Sequence, residues 1–563
     1  MSQACRSSFV SRRAFHLALL AFGALLFLAG AFHGNVWFDE SYSVAIANHS
    51  FGEIWNIGSG DVHPILFYWA LHVLNLVFGQ NILVYRLFTV MGALALATLG
   101  YTHVRRDFGW RIGVLFSFLA LFVPYAAVMA VEIRMYSWAT FFVMLCAVYA
   151  YRIVSALRAE KPGKRADETL ATGLPLWAGV PRRWWIVFFA ASLASAYLHY
   201  YGVLSAFMVN LLVLFFLVRR AFKLRHRSSR GEGLSGGRAL VIFLLGAVVQ
   251  VALYAPWLAS LASQIGVVSQ TYWANMVFPA TYIELATYPI MTSQVSFALR
   301  GIYGEGWQAV VTALGTVALA LLVALVVWAI WRTAKRKRPW HVSDDVGAAL
   351  AGLVVYGSVL AIAWGASYIM NSLILYYRYM FVAIGPLLFA CAVLLSHVQS
   401  RVLVGGTCVV LLSTSLTAQA LFVSDCYSSD NQVPLEKFVE VTNSLAADGD
   451  GADPLVISSD IGIEGVTAVT FPDIPQTYMD WQQGNWDQAY RAYAPTLSIK
   501  KSWELILDGF HGRFIVIGQS PDDEDPRDVK DLSQKPGITK LESQTYYRPY
   551  ERTWFTIAVI EKE

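Results

Sequence analysis

Long apolar runs separated by short polar breaks dominate the first three quarters of the chain. A helix needs roughly 20 mostly apolar residues to cross a bilayer. Runs that meet this demand fall at 14–34, 82–103, 112–131, 137–156, 184–199, 203–218, 239–259, 307–331, 346–368, 379–396 and 402–421. The pattern therefore predicts eleven spans. His63 to Gly79 is apolar as well, but it is short and Pro64 opens it. It predicts a helix that lies at the membrane face or re-enters it. Beyond residue 421 the pattern changes. Short β-like runs at Leu455–Ser458, Phe514–Ile517 and Phe555–Ile560 alternate with helix-like stretches such as Trp503–Phe510. That alternation predicts a small α/β domain over 422–563, following a membrane module over 1–421.

Composition supports the same class. Of 563 residues, 56% are hydrophobic and 14% charged, against about 25% charged in soluble domains. The net charge of +4 matters less than its distribution. Basic residues crowd into Arg105–Arg111, Arg158–Arg183, Arg219–Arg238 and Arg332–Arg338. Lys and Arg gather in cytoplasmic loops. With a cytoplasmic N-terminus and eleven spans, all four loops fall inside. A twelfth crossing at 63–79 would turn all four outward. The start, with Arg6, Arg12 and Arg13 before Ala14–Phe32, resembles a signal peptide. Its apolar run is long for one and many spans follow, so it is expected to be retained. The expectation is a multi-pass protein of the cell (cytoplasmic) membrane, with 422–563 exoplasmic. The five cysteines (Cys5, Cys146, Cys391, Cys408, Cys426) show no paired spacing, which indicates neither a disulfide framework nor a zinc site. The acidic turn Pro521–Asp525 lacks calcium-loop spacing and predicts a solvated loop.

This topology sends the polar exceptions of the apolar module to the outer face. Asp39-Glu40 follows the first span. A carboxylate there is costly unless hydrated, paired or metal-bound. It either starts a helix over Tyr42–His49 as a cap or serves as a general base toward an acceptor hydroxyl. Asp61-Val62-His63-Pro64 lies in the same loop. Pro64 and Asp61 fit a helix start, whereas His63 suggests an acid/base or metal cluster. Glu132-Ile133-Arg134 ends the third span. It is either an internal ion pair or a phosphate grip through the planar guanidinium of Arg134. His199-Tyr200-Tyr201-Gly202 and Tyr376-Tyr377-Arg378-Tyr379 form two further outer turns. Arg378 either reaches lipid headgroups or holds a phosphate.

Read in order, WFDESYS, DVHPILFYW, YRLFTVMGAL, EIRMYSW, HYYG and YRYMFVAIGP resemble the motifs of bacterial GT-C membrane glycosyltransferases related to protein O-mannosyltransferases and aminoarabinose transferases. The resemblance covers about 35–390. Two motifs depart from the family pattern: His63-Pro64-Ile65 stands for HPP, and Glu132-Ile133-Arg134 for EAR. The resemblance implies a GT-C bundle with interfacial helices in its first outer loop. It also implies an inverting transfer of sugar from a polyprenyl-phosphate donor to an acceptor protein, lipid or glycan. Asp39 would be the base, with Glu40 and Asp61 supporting it. Arg134, Arg378, His199, Tyr200 and Arg86 would hold the donor phosphate, with His63, Glu132 and Tyr376 nearby. A divalent metal at Glu40, Asp61 and His63 is left open, and nucleic acid is not an expected partner. The competing classes are a transporter or flippase of a lipid-linked or anionic solute, in which charges sit near the midplane, and a scaffold whose tail binds an exoplasmic partner.

Overall fold

The computed structural model describes residues 3–158, 176–225, 233–271, 344–370, 374–448, 454–481 and 486–563, with parts of 288–331. Helices make up the first part: α1 (Gln3–Ala29), α2 (Phe38–Ala47), α3 (Phe51–Ser59), α4 (Leu66–Phe78), α5 (Ile82–Leu99), α6 (Trp110–Phe122), α7 (Pro124–Val131) and α8 (Tyr136–Arg158). They continue as α9 (Arg182–Leu198), α10 (Tyr200–Arg225), α11 (Gly233–Thr271), α12 (Asp344–Met370), α13 (Ile384–His397) and α14 (Arg401–Tyr427). Eight helices are long and apolar enough to cross a membrane among the described residues, or nine with the bent pair α6/α7. The chain is a multi-pass membrane protein. At 17 residues α9 is just shorter than those eight. The span expected at 307–331 lies mostly outside the described residues. At 13 residues, α4 reaches about 20 Å, too short for a ~30 Å hydrocarbon core.

Two expected spans differ in the structure. The run 112–131 is broken at Pro124, where α6 and α7 meet at 65°. Proline lacks the amide that would continue the helix and fixes the first turn of a new one. The break turns α7 so that Glu132-Ile133-Arg134 is carried into the bundle. The run 239–259 belongs to a helix that continues to Thr271, with Pro256 inside it. Its far end docks on α3, where Gln264 donates to the carbonyls of Gly58 and Ser59.

The C-terminal part follows with α15 (Val433–Asp448) and α16 (Ile461–Thr470). Among the described residues its six strands are β1 (Val456–Ser458), β2 (Gln476–Met479), β3 (Leu497–Lys500), β4 (Gly512–Ser520), β5 (Ile538–Arg548) and β6 (Thr553–Lys562). The sheet order is β3-β2-β1-β4-β6-β5. The first four strands are parallel, and β4-β6-β5 are antiparallel. Strands β4 and β6 are buried on both faces, as expected for the middle of an α/β sheet.

This part rests on the helical bundle through α2. The Tyr493 hydroxyl lies 3.0 Å from Ser41 Oγ, and His49 Nε2 lies 2.9 Å from the Ala492 carbonyl. Helix α16 comes so close that a Cβ at Gly465 would sit 2.6 Å from the Tyr493 hydroxyl and 3.1 Å from Ser41 Oγ. Only glycine leaves room for that approach.

Candidate active site

Helix α2 begins two residues earlier than a cap at Asp39 would allow, and four earlier than one at Ser41. Trp37 is the N-cap and makes no side-chain capping bond. Asp39 and Glu40 instead occupy the first turn, where the helix dipole favours negative charge. Adjacent on the helix, they point to different partners.

Glu40 is fully buried. Its Oε2 accepts from Arg86 Nη2 at 3.0 Å and from the Tyr550 hydroxyl at 2.8 Å. Its Oε1 accepts the Ile133 amide at 3.0 Å. Arg86 also reaches the Asn35 carbonyl, His33 Nε2 at 2.8 Å and the Tyr550 hydroxyl at 3.2 Å. Glu40 and Arg86 thus form a sealed strut that ties α2, α5, the 132–134 turn and the C-terminal domain together. This bears on two sequence expectations. Glu40, expected to support Asp39 or hold a metal, is engaged with Arg86, Tyr550 and the Ile133 amide, and Arg86, expected at the donor phosphate, pairs with Glu40.

Asp39 faces the other way. Its Oδ2 lies 3.0 Å from Arg378 Nη1, and its side chain keeps 19% of its exposure. The same Arg378 nitrogen lies 3.2 Å from Glu132 Oε1. The guanidinium carbon stands 4.7 Å from the Trp37 ring centre and 5.2 Å from that of Tyr376, so the two aromatic faces flank it. Burial, opposed by Arg378 and reinforced by Asp39 and Glu40, raises the Glu132 carboxyl to about 7. The ion pair inside the Glu132-Ile133-Arg134 motif does not form: the Ile133 amide is pinned on Glu40, and its neighbours go to separate partners.

Arg134 is almost wholly buried. Its Nη1 donates to the Asp39 carbonyl at 3.2 Å and to the hydroxyls of Ser43 and Tyr68, each at 3.3 Å. Its Nη2 lies 3.2 Å from His63 Nδ1. The Tyr68 hydroxyl donates onward to Asp61 Oδ2 at 3.1 Å. The Arg134 guanidinium therefore touches only neutral acceptors among the described residues, and its Nε is unbonded. Burial and Arg134 hold the His63 imidazole below its usual value, against Asp61 and Asp39, which raise it; Nδ1 also lies 3.7 Å from Asp61 Oδ2. Burial pushes the Asp61 carboxyl up, but His63 and Arg134 outweigh it and the net shift is downward. Asp61 is not the cap of α4, which starts at Leu66 with Ile65 before it.

His199 stands between α9 and α10. Its ring centre lies 5.4 Å from His63, 5.5 Å from Tyr136 and 5.2 Å from Tyr379. Its Nδ1 accepts the Tyr201 amide at 3.0 Å. Burial, with His63 and Arg134 nearby, lowers its pKa well below the usual value. The ring is neutral, its proton is on Nε2, and that atom has no partner among the described residues. Tyr200 turns elsewhere. Its hydroxyl is held by Gln264 and, at 3.1 Å, by Trp257 Nε1, so it joins α10 to α11 rather than facing the arginines.

The structure therefore brings Asp39, Asp61, His63, Glu132, Arg134, His199 and Arg378 to one place, across more than 300 residues of chain. It adds Tyr68, Ser43 and Tyr136, which lie within the motifs but have no assigned role there, and Tyr550 from the C-terminal domain. Around the arginines, Arg134 Nε, Arg378 Nε, His199 Nε2 and the Tyr136 hydroxyl are buried without partners among the described residues. Glu40, Asp61 and His63 do not form the ligand set considered for a metal. Glu40 is spent on Arg86 and Tyr550, and His63 Nδ1 faces a guanidinium. No group of three His, Cys, Asp or Glu among the described residues is placed to hold a metal ion.

No family model and no curated protein matches the chain. Over nearly its whole length it is similar to two crystal structures of ArnT from Cupriavidus metallidurans. The apo form matches at 13% identity and a TM-score of 0.43, covering 99% of this chain and 98% of that one. The form bound to undecaprenyl phosphate matches at 13% identity and a TM-score of 0.38, covering 97% and 98%. At this level of likeness the functional reading rests on the geometry of the site itself.

Proposed function

We propose that the chain is a GT-C-type glycosyltransferase that moves a sugar from a polyprenyl-phosphate donor to an acceptor hydroxyl at the membrane face. The observation that carries this reading is Arg134: a buried guanidinium that meets only neutral acceptors, ringed by further buried donors without partners. No carboxylate oxygen bonds to Arg134 among the described residues, though Asp39 and Asp61 lie near enough to favour its charge, and each unbonded buried donor around it is costly. A phosphate monoanion or dianion entering there supplies the missing acceptor oxygens.

The roles follow from how each charge is already balanced. Arg378 is shared by Asp39 and Glu132, so it chiefly positions the base. Arg134 has no carboxylate in contact among the described residues and is the principal phosphate ligand, with His199 Nε2–H and the Tyr136 hydroxyl as further donors. In the transfer, the bond from the anomeric carbon to the phosphate oxygen breaks. A bond from that carbon to the acceptor oxygen forms, with inversion. The acceptor proton passes to Asp39, and polyprenyl phosphate leaves. Donors fixed in a dry site stabilise the charge that grows on the phosphate. The lipid tail explains a site at the end of a helical bundle, reached laterally from the bilayer. The acceptor is a protein, lipid or glycan hydroxyl.

The test is to incubate the purified protein in lipid vesicles with polyprenyl-phosphate sugars and a panel of acceptors, following free polyprenyl phosphate by mass spectrometry. The expected result is release by wild type and loss of donor binding in R134Q. Movement of the lipid-linked sugar across the vesicle with its sugar–phosphate bond intact would instead establish a flippase and overturn the reading.

A further inference from the structure

Helix α2 faces the candidate site on one side and the C-terminal domain on the other. On the site side, Arg134 Nη1 lies 3.2 Å from the Asp39 carbonyl and 3.3 Å from Ser43 Oγ. On the other side, the short helical turns Asp487–Tyr490 and Arg491–Tyr493 grip α2 and α3 together. The Gln488 side-chain amide donates to the Asn56 carbonyl and, at 2.8 Å, to Ser59 Oγ at the end of α3. The Ala492 carbonyl accepts from His49 Nε2, just past the end of α2, at 2.9 Å. Tyr493 meets Ser41 in the first turn of α2.

The last of these contacts has a direction. Ser41 Oγ donates to the Phe38 carbonyl at 2.8 Å. A serine hydroxyl has one proton, so the Tyr493 hydroxyl, at 3.0 Å, is the donor to Ser41 Oγ. Phe38 is the first residue of α2, and the N-cap Trp37 makes no side-chain capping bond. A helix start is commonly tied by such a bond. Here the first turn is tied through Ser41 from a residue more than 450 positions away. Ser41 and Tyr493 are both buried, and the approach depends on two glycines. A Cβ at Gly465 would sit 2.6 Å from the Tyr493 hydroxyl, and one at Gly60 would sit 2.7 Å from Gln488 Cβ.

We infer that Tyr493 is a positioning residue. Acting through Ser41, it fixes the first turn of α2 and with it the carboxylate of Asp39. The inference rests on the proposed role of Asp39 as the base. Arg378 orients that carboxylate, but the backbone from which it projects is set by its neighbours. Glu40 is held by Tyr550 and Ser41 by Tyr493, so the C-terminal domain grips the helix directly beside Asp39. A base must lie within about 2.6–3.2 Å of the proton it takes. A small shift of the helix start is therefore felt in turnover more than in substrate binding.

The test uses the full-length protein in lipid vesicles, with release of polyprenyl phosphate as the activity and hydrogen–deuterium exchange over 38–46 as a readout independent of activity. Y493F is expected to lower kcat by roughly three- to tenfold, the effect of one ordinary hydrogen bond, with KM for donor and acceptor within about twofold of wild type. Exchange over 38–46 should be faster in Y493F than in wild type. S41A should lower kcat as well, and the double variant should fall no further than S41A, because both changes remove the same bond. G465A, which crowds that bond from α16, should reproduce Y493F. An unchanged kcat in Y493F with a lowered melting temperature would make the bond merely structural and overturn the inference, as would losses that multiply in the double variant. Wild type without turnover would instead overturn the transferase reading; faster exchange in Y493F would then still establish the grip on α2, and equal exchange would refute it.

Discussion

Asp39→Asn isolates the proposed base with little change of shape. Asp39 Oδ2 lies 3.0 Å from Arg378 Nη1 and retains 19% side-chain exposure, enough to meet an acceptor hydroxyl. Asparagine keeps an oxygen for Arg378 but cannot take the proton. A positioned general base contributes about 10²–10⁴-fold, which corresponds to roughly 2.7–5.5 kcal/mol of barrier. The structural cost is smaller. Breaking a buried ion pair and stranding its partner costs about 3–5 kcal/mol, but Arg378 still has Glu132 at 3.2 Å and is not stranded. D39N is therefore expected to lose at least a hundredfold in turnover, with donor KM changed less than threefold and the melting temperature within a few degrees of wild type. The assay is release of polyprenyl phosphate by reconstituted protein, with donor binding measured separately. Turnover of D39N within twofold of wild type would remove Asp39 from the base role. Lost donor binding with turnover otherwise intact would make it part of the phosphate cradle instead.

Tyr550→Phe removes the hydroxyl that joins the C-terminal domain to Glu40 and Arg86. A hydrogen bond to a charged group is worth about 1.5–3 kcal/mol, so kcat should fall by roughly tenfold or more with KM nearly unchanged; an unaltered kcat would mean that the contact does not tune the site. Glu464 is fully buried on α16 and neither of its carboxylate oxygens has a partner among the described residues, and burial, with Asp460 and Asp528 nearby, raises its pKa well above 4.5. The folded state then binds the proton more tightly than the unfolded one, so stability is full below about pH 4.5 and declines as pH rises toward the folded pKa, by up to about 1.4 kcal/mol per unit. E464Q should melt higher than wild type at pH 7.5 and show a weaker loss between pH 5 and 7.5; a lower melting temperature for E464Q would refute this. For orientation, in a cysteine-free background, T172C and E436C should differ with an impermeant thiol reagent applied from outside: only E436C is expected to label, and labelling at T172C would reverse the topology.

Much of the architecture was legible in the apolar pattern, because a bilayer permits few solutions. Helices must satisfy their own backbone groups and exceed a minimum length. The described spans follow the predicted runs closely, and β1, β4 and β6 coincide with the β-like runs near 455, 514 and 555. The departures sit at prolines: Pro124 divides one run, and Pro256 does not end another. A proline's local effect is readable, but whether the helix resumes in line depends on what packs around it.

The candidate site was legible as a set of residue types and not as a set of pairs. Charged residues in a sparse apolar background stand out, so Asp39, Asp61, His63, Glu132, Arg134, His199 and Arg378 could be picked from the chain. Their connections could not. Glu132 and Arg134 are two residues apart and looked like partners, yet Glu132 reaches Arg378 and Arg134 reaches His63. Arg86 was expected at the donor phosphate and Glu40 as a support for Asp39 or a metal ligand, and they pair with each other beside Tyr550. Periodicity and sparse charge are local properties, and they determined the helices, the tail domain and the candidate residues. Which charge is spent on a neighbour and which is left for a ligand depends on distances of about 3 Å between residues up to 510 positions apart. Only tertiary packing sets those distances, and only it separated Arg134, with its neutral partners, from Arg86 and Arg378.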